Sequence, residues 1–276
     1  MGKQKHVHTV ATGHLDTVWN WDFETTLSKY IPHTLRWNFA LIEKYPDYVF
    51  NFEGAYRYSL MEEYYPEQFE KLKKYVAGGN WYPCGSAWEN GDVNAPSPEA
   101  LFRNFLFGNN YYEEKFGIRS KDVFLPDCFG FGYALPSIAR HSNLYGFTTQ
   151  KLEWGSAYGE PFDIGKWYGV DGSYILASIK MHNYVAVLKN LRKSKVIADK
   201  LKENEAHGLD VTEIFHGVGD RGGGPMPPSV RSLYRNMKKN SSSDIKVHSS
   251  QADTVFKQLM SEMTEEQRDR LPSWNN

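Results

Sequence analysis

The chain has 276 residues, with 32 lysine and arginine residues against 33 aspartate and glutamate residues. A chain of this length is long enough for one large α/β barrel or for two small domains. The balanced charge gives no basic stripe for nucleic acid, and no apolar run reaches the roughly eighteen residues that a membrane span needs. Two cysteines far apart in sequence, Cys84 and Cys128, do not indicate a disulfide framework.

The start of the chain and its aromatic content bound the class of protein further. The first residues lead directly into a strand-like segment, residues 6–12, without the apolar core of a signal peptide. This start indicates a cytoplasmic protein, although a chain from which a signal peptide had been removed would look the same. Aromatic residues make up 15% of the chain, which suits a large core or a site where rings stack on sugars.

Short apolar segments alternate with amphipathic segments along most of the chain. The predicted strands are residues 7–11, 48–52, 80–84, 122–125, 146–149, 174–178, 213–217 and 245–248. The predicted helices are residues 23–44, 56–76 with a break at Pro66, 98–116 with Ser97 as N-cap, 133–141, 195–205, 228–239, 250–263 and 265–270. Strands that alternate with helices predict a parallel sheet, and at this length we expect a closed or nearly closed barrel.

The first candidate site follows the first predicted strand. His14 and Asp16 are two residues apart in an extended segment, so both side chains can point to one side. Active sites of barrel enzymes lie at this carboxyl end of the strands, and an imidazole with a carboxylate suits zinc or a similar ion. A capping aspartate beside a buried histidine is the structural alternative. His6 and His8 have the same spacing but lie at the other rim, and we interpret them as structural.

Two further acids follow predicted strands. Asp127 comes directly after the strand at residues 122–125 and precedes a glycine–aromatic turn, so it could bind a metal, attack an electrophile or cap a helix. Asp220 stands in a glycine-rich loop after the strand at residues 213–217, where the structural alternative is a turn aspartate. In a parallel barrel these acids would converge on one rim. Two carboxylates and a metal ringed by aromatics favour glycoside cleavage.

These segments together resemble glycoside hydrolase family 38, the α-mannosidases, in its bacterial and cytosolic-type branch. The resemblance rests on GHLDTVWNW, on residues 52–104, on KDVFLPDCFGFGYALPSIARHSNLYGFTTQKLEWG and on GVGDRGGGP. The resemblance implies a (β/α)7 barrel, an α/β fold of parallel strands with surrounding helices. It also implies that residues 1–276 form one catalytic domain, a fragment without the helical bundle and β domains that follow in the family.

The resemblance assigns roles to individual residues. His14, Asp16 and Asp127 fall on the family's ligands for zinc or another divalent metal, and Asp127 also falls on its nucleophile. Asp220 matches the general acid/base. The substrate-binding residues are Trp19, Phe129 and Lys151.

The implied reaction is that of a retaining α-mannosidase, which cleaves mannose from an oligosaccharide through a covalent glycosyl-enzyme. In such a mechanism the two catalytic carboxyl groups stand about 5 Å apart.

Two departures from the family leave other functions open. The family has a further metal-binding histidine well downstream of Asp220, whereas only His248 follows that residue here. Arg221 is not the family's usual residue, and it would alter the pocket or pair with an acid. A sugar-binding barrel without turnover is therefore one alternative. A metal-dependent carbohydrate deacetylase is another, although the chain lacks the His-x-x-x-His pair common in that chemistry.

Overall fold

The computed structural model describes residues 4–155 and 159–275. All eight predicted strands are present in it, with ends that differ by one or a few residues. Two further strands, Ile164–Tyr168 and Ser273–Asn275, were not predicted. The strands are β1 Lys5–Gly13, β2 Phe50–Glu53, β3 Trp81–Cys84, β4 Asp122–Phe124, β5 Gly146–Thr148, β6 Ile164–Tyr168, β7 Tyr174–Ser178, β8 Val211–Val218, β9 Ile245–Ser249 and β10 Ser273–Asn275.

The helices lie close to their predicted positions. They are α1 Phe23–Thr25, α2 Ile31–Lys44, α3 Ala55–Tyr64, α4 Pro66–Ala77, α5 Pro98–Phe116, α6 Leu135–His141, α7 Lys195–Glu205, α8 Pro227–Met237, α9 Thr254–Glu262 and α10 Glu265–Asp269. A π-helical turn, Thr26–Tyr30, joins α1 to α2. Ser97 caps α5 as predicted, because its hydroxyl accepts a hydrogen bond from the amide of Ala100 at 3.3 Å. None of the described helices is both long and apolar enough to cross a membrane.

The ten described strands form two sheets. One sheet has the order β3-β2-β1-β8, and β9 pairs with the amino-terminal half of β1. The other has the order β10-β6-β7-β5-β4. Pairing is parallel throughout except between β6 and β7, which form an antiparallel hairpin. The predicted parallel sheet is therefore confirmed, with one local exception.

Hydrogen bonds across two seams bring the sheets together. At the seam between β3 and β4, the amide of Gly85 donates to a carboxylate oxygen of Asp122 at 3.2 Å. At the other seam, the amide of Phe215 on β8 donates to the carbonyl of Met181, just after β7, at 2.8 Å. Strands β1, β2, β3, β4, β5, β7 and β8 thus surround one interior, as expected for a seven-stranded barrel.

Alternation along β1 separates the barrel interior from the helix-facing side. Val10 packs with Tyr82, Phe124 and Phe215 in a cluster that fills the middle of the barrel. Ala11, the next residue, packs instead in the cluster between the strands and the helices. Residues of β1 two apart therefore share a face, so the even-numbered residues point into the barrel. This places His6 and His8 on the same inward face as Val10.

Glu213 on β8 is a buried acid that forms no ion pair among the described residues. Its side chain is fully buried, and neither carboxylate oxygen has a hydrogen bond. Burial raises the pKa of Glu213 to about 8 from 4.5, although the ammonium of Lys200 and the nearby hydroxyl of Ser178 act in the opposite direction. Between these two values the folded chain binds more protons than the unfolded chain. The folded state therefore loses stability as the pH rises through this interval.

We expect the ionisation of Glu213 to contribute a fall in the free energy of unfolding of up to about 1.4 kcal/mol per pH unit between pH 4.5 and 8. Glu213→Gln should remove that contribution, because an amide does not ionise. Urea denaturation across this pH interval measures the slope. Glu205→Gln, at an exposed position, is the matched control and should keep the wild-type slope. An unchanged slope in Glu213→Gln would contradict the assignment.

Candidate active site

The predicted site residues lie at the carboxyl ends of their strands. His14 and Asp16 follow β1, Asp127 follows β4 and Asp220 follows β8. Lys151 follows β5 in the same way. Parallel strands of a barrel end on one rim, so these loops meet at one mouth of the molecule.

The loops after β1 and β8 are joined by backbone hydrogen bonds. The amide of His14 donates to the carbonyl of Val218 at 3.0 Å, and the amide of Asp16 donates to the carbonyl of Asp220 at 2.8 Å. In the opposite direction, the amide of Gly222 donates to the carbonyl of His14 at 2.9 Å. The two loops therefore form a short antiparallel bridge between Leu15 and Arg221 beyond the parallel strands, and this bridge fixes the backbone of Asp16 against that of Asp220.

The glycine-rich loop after β8 packs directly on α2. Gly222 has a φ of 65°, and a Cβ at this position would lie 2.4 Å from the hydroxyl of Thr34. That hydroxyl accepts a hydrogen bond from the amide of Gly223 at 2.8 Å. A side chain at Gly222 would push the loop away from α2, so glycine is required there. Asp220 has a φ of 64°, a left-handed conformation that aspartate tolerates better than most residues.

The imidazole of His14 lies at the centre of the site. Its Nδ1 donates to Oε1 of Glu53, the last residue of β2, at 2.6 Å. Its Nε2 lies 3.3 Å from Oδ1 of Asp16 and 3.9 Å from Oδ2 of Asp127. This Nε2 is buried and has no well-aligned hydrogen bond. The sequence prediction that these three side chains converge agrees with these distances.

The surroundings of His14 favour a positive charge. Burial by itself lowers the pKa of His14, but the close contact with Asp16, the hydrogen bond with Glu53 and the charges of both acids outweigh it and raise the pKa to about 10. For Glu53, burial acts to raise the pKa, but the interaction with His14 lowers it overall. The position facing Nε2 therefore suits a cation, which is a proton in the metal-free chain or a metal ion in its place.

Lys151 is held between Asp127 and two aromatic rings. Its ammonium forms an ion pair with Oδ1 of Asp127. It lies 4.2 Å from the ring centroid of Phe129 and 3.6 Å from that of Trp154. Both rings are largely exposed, whereas the Lys151 side chain is only 8% exposed. The cation thus links the acid of the site to an aromatic surface at the rim.

Asp220 has a phenol as its partner. The hydroxyl of Tyr184 donates to Oδ1 of Asp220 at 3.1 Å. Burial raises the pKa of Tyr184, and the charges of Asp127, Asp220 and Asp16 raise it further. Tyr184 therefore remains a neutral hydrogen-bond donor, and it lies within the field of all three acids of the site.

A small cavity of about 160 Å³ opens beside His14, and neither Lys151 nor Asp220 lines it. Its lining includes His14, Asp16, Asp127 and Phe129, together with Asn90, whose amide nitrogen and oxygen both lack hydrogen bonds. This volume is below the roughly 300 Å³ typical of pockets for larger ligands, so it suits one small ring. The predicted Trp19 does not line this cavity. It is 58% exposed, on the loop after Asp16.

Several residues of the site were not predicted from the sequence. Glu53 carried a signal, because a carboxylate at the end of an apolar strand needs a buried partner. Tyr184 and Asn90 lie in irregular segments, and Trp154 ends a short 3-10 helix, Lys151–Trp154. No local pattern distinguishes these three residues. Arg221 lies 5.7 Å from the Trp21 ring centroid, and it pairs with no acid among the described residues.

A cluster of three histidines, His6, His8 and His248, lies at the opposite, amino-terminal end of the barrel. Nδ1 of His6 and Nε2 of His248 are 3.0 Å apart, and Nδ1 of His8 is 2.8 Å from the hydroxyl of Ser250. Burial and the neighbouring imidazoles lower the pKa of His8 to about 3. Within residues 4–155 and 159–275, no other three His, Cys, Asp or Glu side chains bring their ligand atoms within 4.8 Å of one another. The atoms around His14 are grouped less tightly.

A buried arginine supports the loop that carries Asp16. Nε of Arg57 donates to the carbonyl of Leu15 at 2.6 Å, and its guanidinium forms an ion pair with Glu89 at 2.7 Å. The other carboxylate oxygen of Glu89 accepts a hydrogen bond from the hydroxyl of Thr17 at 2.8 Å. Arg57 and Glu89 thus hold this loop on both sides of Asp16.

We expect Arg57 and Glu89 to be energetically coupled by about 1 kcal/mol or more. Arg57 is buried, so its loss leaves the carboxylate of Glu89 without its main partner. A double-mutant cycle with Arg57→Met and Glu89→Gln, followed by urea denaturation, measures the coupling. The exposed pair Arg103 and Glu99 serves as control and should give about 0.5 kcal/mol or less. Equal coupling in the two pairs would show that the buried contact has no special role.

Comparison with known proteins agrees with the fold. Alpha-mannosidase G from Dictyostelium discoideum is 31% identical over 274 residues, which is 98% of this chain and 24% of that protein. An alpha-mannosidase structure from Enterococcus faecalis V583 aligns with a TM-score of 0.73 at 19% identity, over 99% of this chain and 30% of that one. A 4-alpha-glucanotransferase structure from Thermococcus litoralis aligns with a TM-score of 0.63 at 14% identity, over 95% of this chain and 41% of that one.

The structural likenesses, at these low identities, show the fold alone. The chain spans about a quarter of the Dictyostelium relative's length. Residues 4–276 match the domain described as "Glycosyl hydrolases family 38 N-terminal domain". Because this match covers nearly the whole chain, the chain belongs to glycoside hydrolase family 38.

Proposed function

We propose that the chain is the catalytic barrel of a retaining α-mannosidase that uses a divalent metal. The observation that carries the proposal is the convergence of His14, Asp16 and Asp127, with Nε2 of the imidazole 3.3 Å and 3.9 Å from oxygens of the two acids. A family whose curated relatives include α-mannosidases supports the substrate class. The preferred substrate would be a mannose-containing oligosaccharide.

The residues around Nε2 of His14 fit a metal ion. A buried nitrogen without a hydrogen bond faces two carboxylates, and Glu53 holds the opposite nitrogen so that Nε2 can offer its lone pair. Imidazole with carboxylate ligands suits zinc or a similar divalent ion. When bound, the metal would orient the mannose ring through neighbouring hydroxyls and stabilise the charge that develops during cleavage.

In the proposed mechanism Asp127 is the nucleophile and Asp220 is the general acid and base. Asp127 attacks the anomeric carbon as the glycosidic bond breaks, and Asp220 gives its proton to the leaving oxygen. In the second step Asp220 takes a proton from water, and the hydroxide attacks the anomeric carbon and releases Asp127. Lys151 pairs with Asp127 and limits its rotation, while the hydroxyl of Tyr184 orients Asp220.

Aromatic and amide side chains would hold the sugar. Phe129 is 83% exposed and borders the cavity, so its ring offers an apolar face to a sugar. The unpaired amide of Asn90 can both donate to and accept from sugar hydroxyls. Trp19, exposed on the loop after Asp16, would contact a sugar that extends beyond the cavity.

We expect Asp127→Asn to abolish hydrolysis of an aryl α-mannoside, because the amide cannot act as the nucleophile. Asp220→Asn should slow a substrate with a poor leaving group at least about 100-fold, and one with an activated leaving group far less. Initial rates on methyl and dinitrophenyl α-mannosides measure the difference. The control is Asp171→Asn, which removes a carboxylate that pairs with His141 away from the site and should keep the wild-type rates.

The same assay separates the proposal from its alternatives. Proton NMR of the first product should show α-mannose, as a retaining mechanism requires. Release of β-mannose would exclude retention. Mannoside binding without any hydrolysis would instead favour a sugar-binding barrel, and release of acetate from an acetylated sugar would favour a deacetylase.

Removal of metal should lower the rate of hydrolysis, because charge stabilisation at the site would be lost. A chelator followed by dialysis removes the ion, and added zinc should restore the rate in the wild-type chain. His14→Gln should not be restored, since its ligand nitrogen is gone. Full activity in the chelated wild-type chain would argue against a metal-assisted mechanism.

A further inference from the structure

We propose that His6, His8 and His248 form a second divalent-metal site, at the amino-terminal end of the barrel. The site is distinct from the candidate active site and would take zinc, copper or nickel. It consists of side chains from two neighbouring strands, β1 and β9. The proposal does not depend on the function proposed for the other end.

The backbone holds the three imidazoles in place. Strands β1 and β9 pair in parallel, and His8 and His248 are register partners in that pairing. His6 lies two residues before His8, so all three side chains share one face. The ligand nitrogens of the three residues lie within 4.8 Å of one another. Binding would therefore need ring rotations and no rearrangement of the strands.

The nitrogen separations are close to those around a metal. Zinc–nitrogen bonds are about 2.0–2.1 Å long, so two nitrogens on a tetrahedral ion stand roughly 3.3 Å apart. Nδ1 of His6 and Nε2 of His248 are 3.0 Å apart, and the two rings are parallel within 8°. One ring now donates its N–H to the lone pair of the other.

On binding, the imidazole that carries this proton would shift it to its outer nitrogen. Both facing nitrogens would then offer lone pairs to the ion, and no net proton would be released. A weak N–H···N bond would thus be exchanged for two bonds to metal.

Further contacts orient the third ligand and leave room for water. The hydroxyl of Ser250 contacts Nδ1 of His8 at 2.8 Å, which leaves Nε2 of this buried ring as its ligand atom. The rings of His8 and His248 are stacked with their centroids 4.8 Å apart, so His8 would rotate to reach a shared ion. His6 and His248 are half-buried, which gives an ion a path from solvent. Three imidazoles and one water complete a tetrahedral set.

The donor set decides which ions are suitable. Imidazole favours zinc, copper and nickel over magnesium or calcium, which prefer oxygen ligands. Lys246 pairs with His6 in register, and its ammonium bonds to the carbonyl of Asn240. This nearby positive charge would weaken binding, and we expect a lower affinity than at a site with carboxylate ligands.

The two metal sites would be independent. His8 and His14 are six residues apart on one extended strand, which corresponds to roughly 20 Å. The cluster of Val10, Phe124 and Phe215 fills the barrel between them. An ion at the amino-terminal end would join β9 to β1, and its expected effect is on stability rather than on sugar cleavage.

Zinc titration of the chelator-treated chain tests the site. His248→Gln should bind one zinc ion fewer per chain than the wild type, and His8→Gln should behave in the same way. In a His14→Gln background, which removes the candidate active-site ligand, one ion should still bind and should be lost in His14→Gln/His248→Gln. The loss of zinc from the histidine cluster can therefore be measured whether or not the candidate active site also binds metal.

The control is His141→Gln, which removes an imidazole outside the cluster and should keep the wild-type stoichiometry. Zinc should also raise the melting temperature of His14→Gln but not of the double variant. Circular dichroism checks that each variant is folded. If the variants fail to fold, anomalous diffraction from zinc-soaked wild-type crystals replaces them, with a peak expected between the three imidazoles. Equal stoichiometry in wild type and His248→Gln, or crystals without that peak, would overturn the proposal.

Discussion

Charge balance around one buried imidazole is the constraint on which the mouth of the barrel depends. Glu53 is fully buried against Nδ1 of His14, and Asp16 and Asp127 face Nε2. A fully buried carboxylate such as Glu53 would cost several kcal/mol without a partner, and the partly buried Asp16 and Asp127 add further negative charge, so the group requires a cation. A proton on the imidazole supplies it in the metal-free chain, and the ammonium of Lys151 adds a second positive charge beside Asp127. The same requirement makes the position suitable for a divalent ion.

Most of the barrel could be predicted from the sequence because its strands are buried on both faces and read as short apolar runs between helices. Strand β6 was missed because Gly165 and Lys166 interrupt the apolar pattern. Strand β10 was missed because it is short and largely exposed, and it forms only by pairing with β6 more than a hundred residues earlier. Such pairing leaves no local signal. The antiparallel hairpin of β6 and β7 was missed because β6 itself was missed, although Asp171-Gly172 between the two strands is a local hairpin signal.

The candidate site was predictable to the extent that its residues directly follow strands. His14, Asp16, Asp127 and Asp220 could be placed on one rim by topology alone, before any distance was known. Tyr184 could not, because the path of the loop after β7 depends on how that loop packs against the loop after β8. Contacts between loops are set by tertiary packing, and the sequence around a loop residue does not record them.

Alternation along β1 explains how one strand serves both ends of the barrel. Because side chains two residues apart share a face, the inward positions of this strand run from His6 and His8 through Val10 toward His14. Val10 packs against aromatic rings from β4 and β8, and this apolar layer separates the polar groups at the two ends. A polar side chain at position 10 would lack a partner inside that layer, so the strand can place imidazoles only near its ends. The pleat of a single strand thus places His6 and His8 at one end of the barrel and His14 at the other, and the apolar layer keeps them apart.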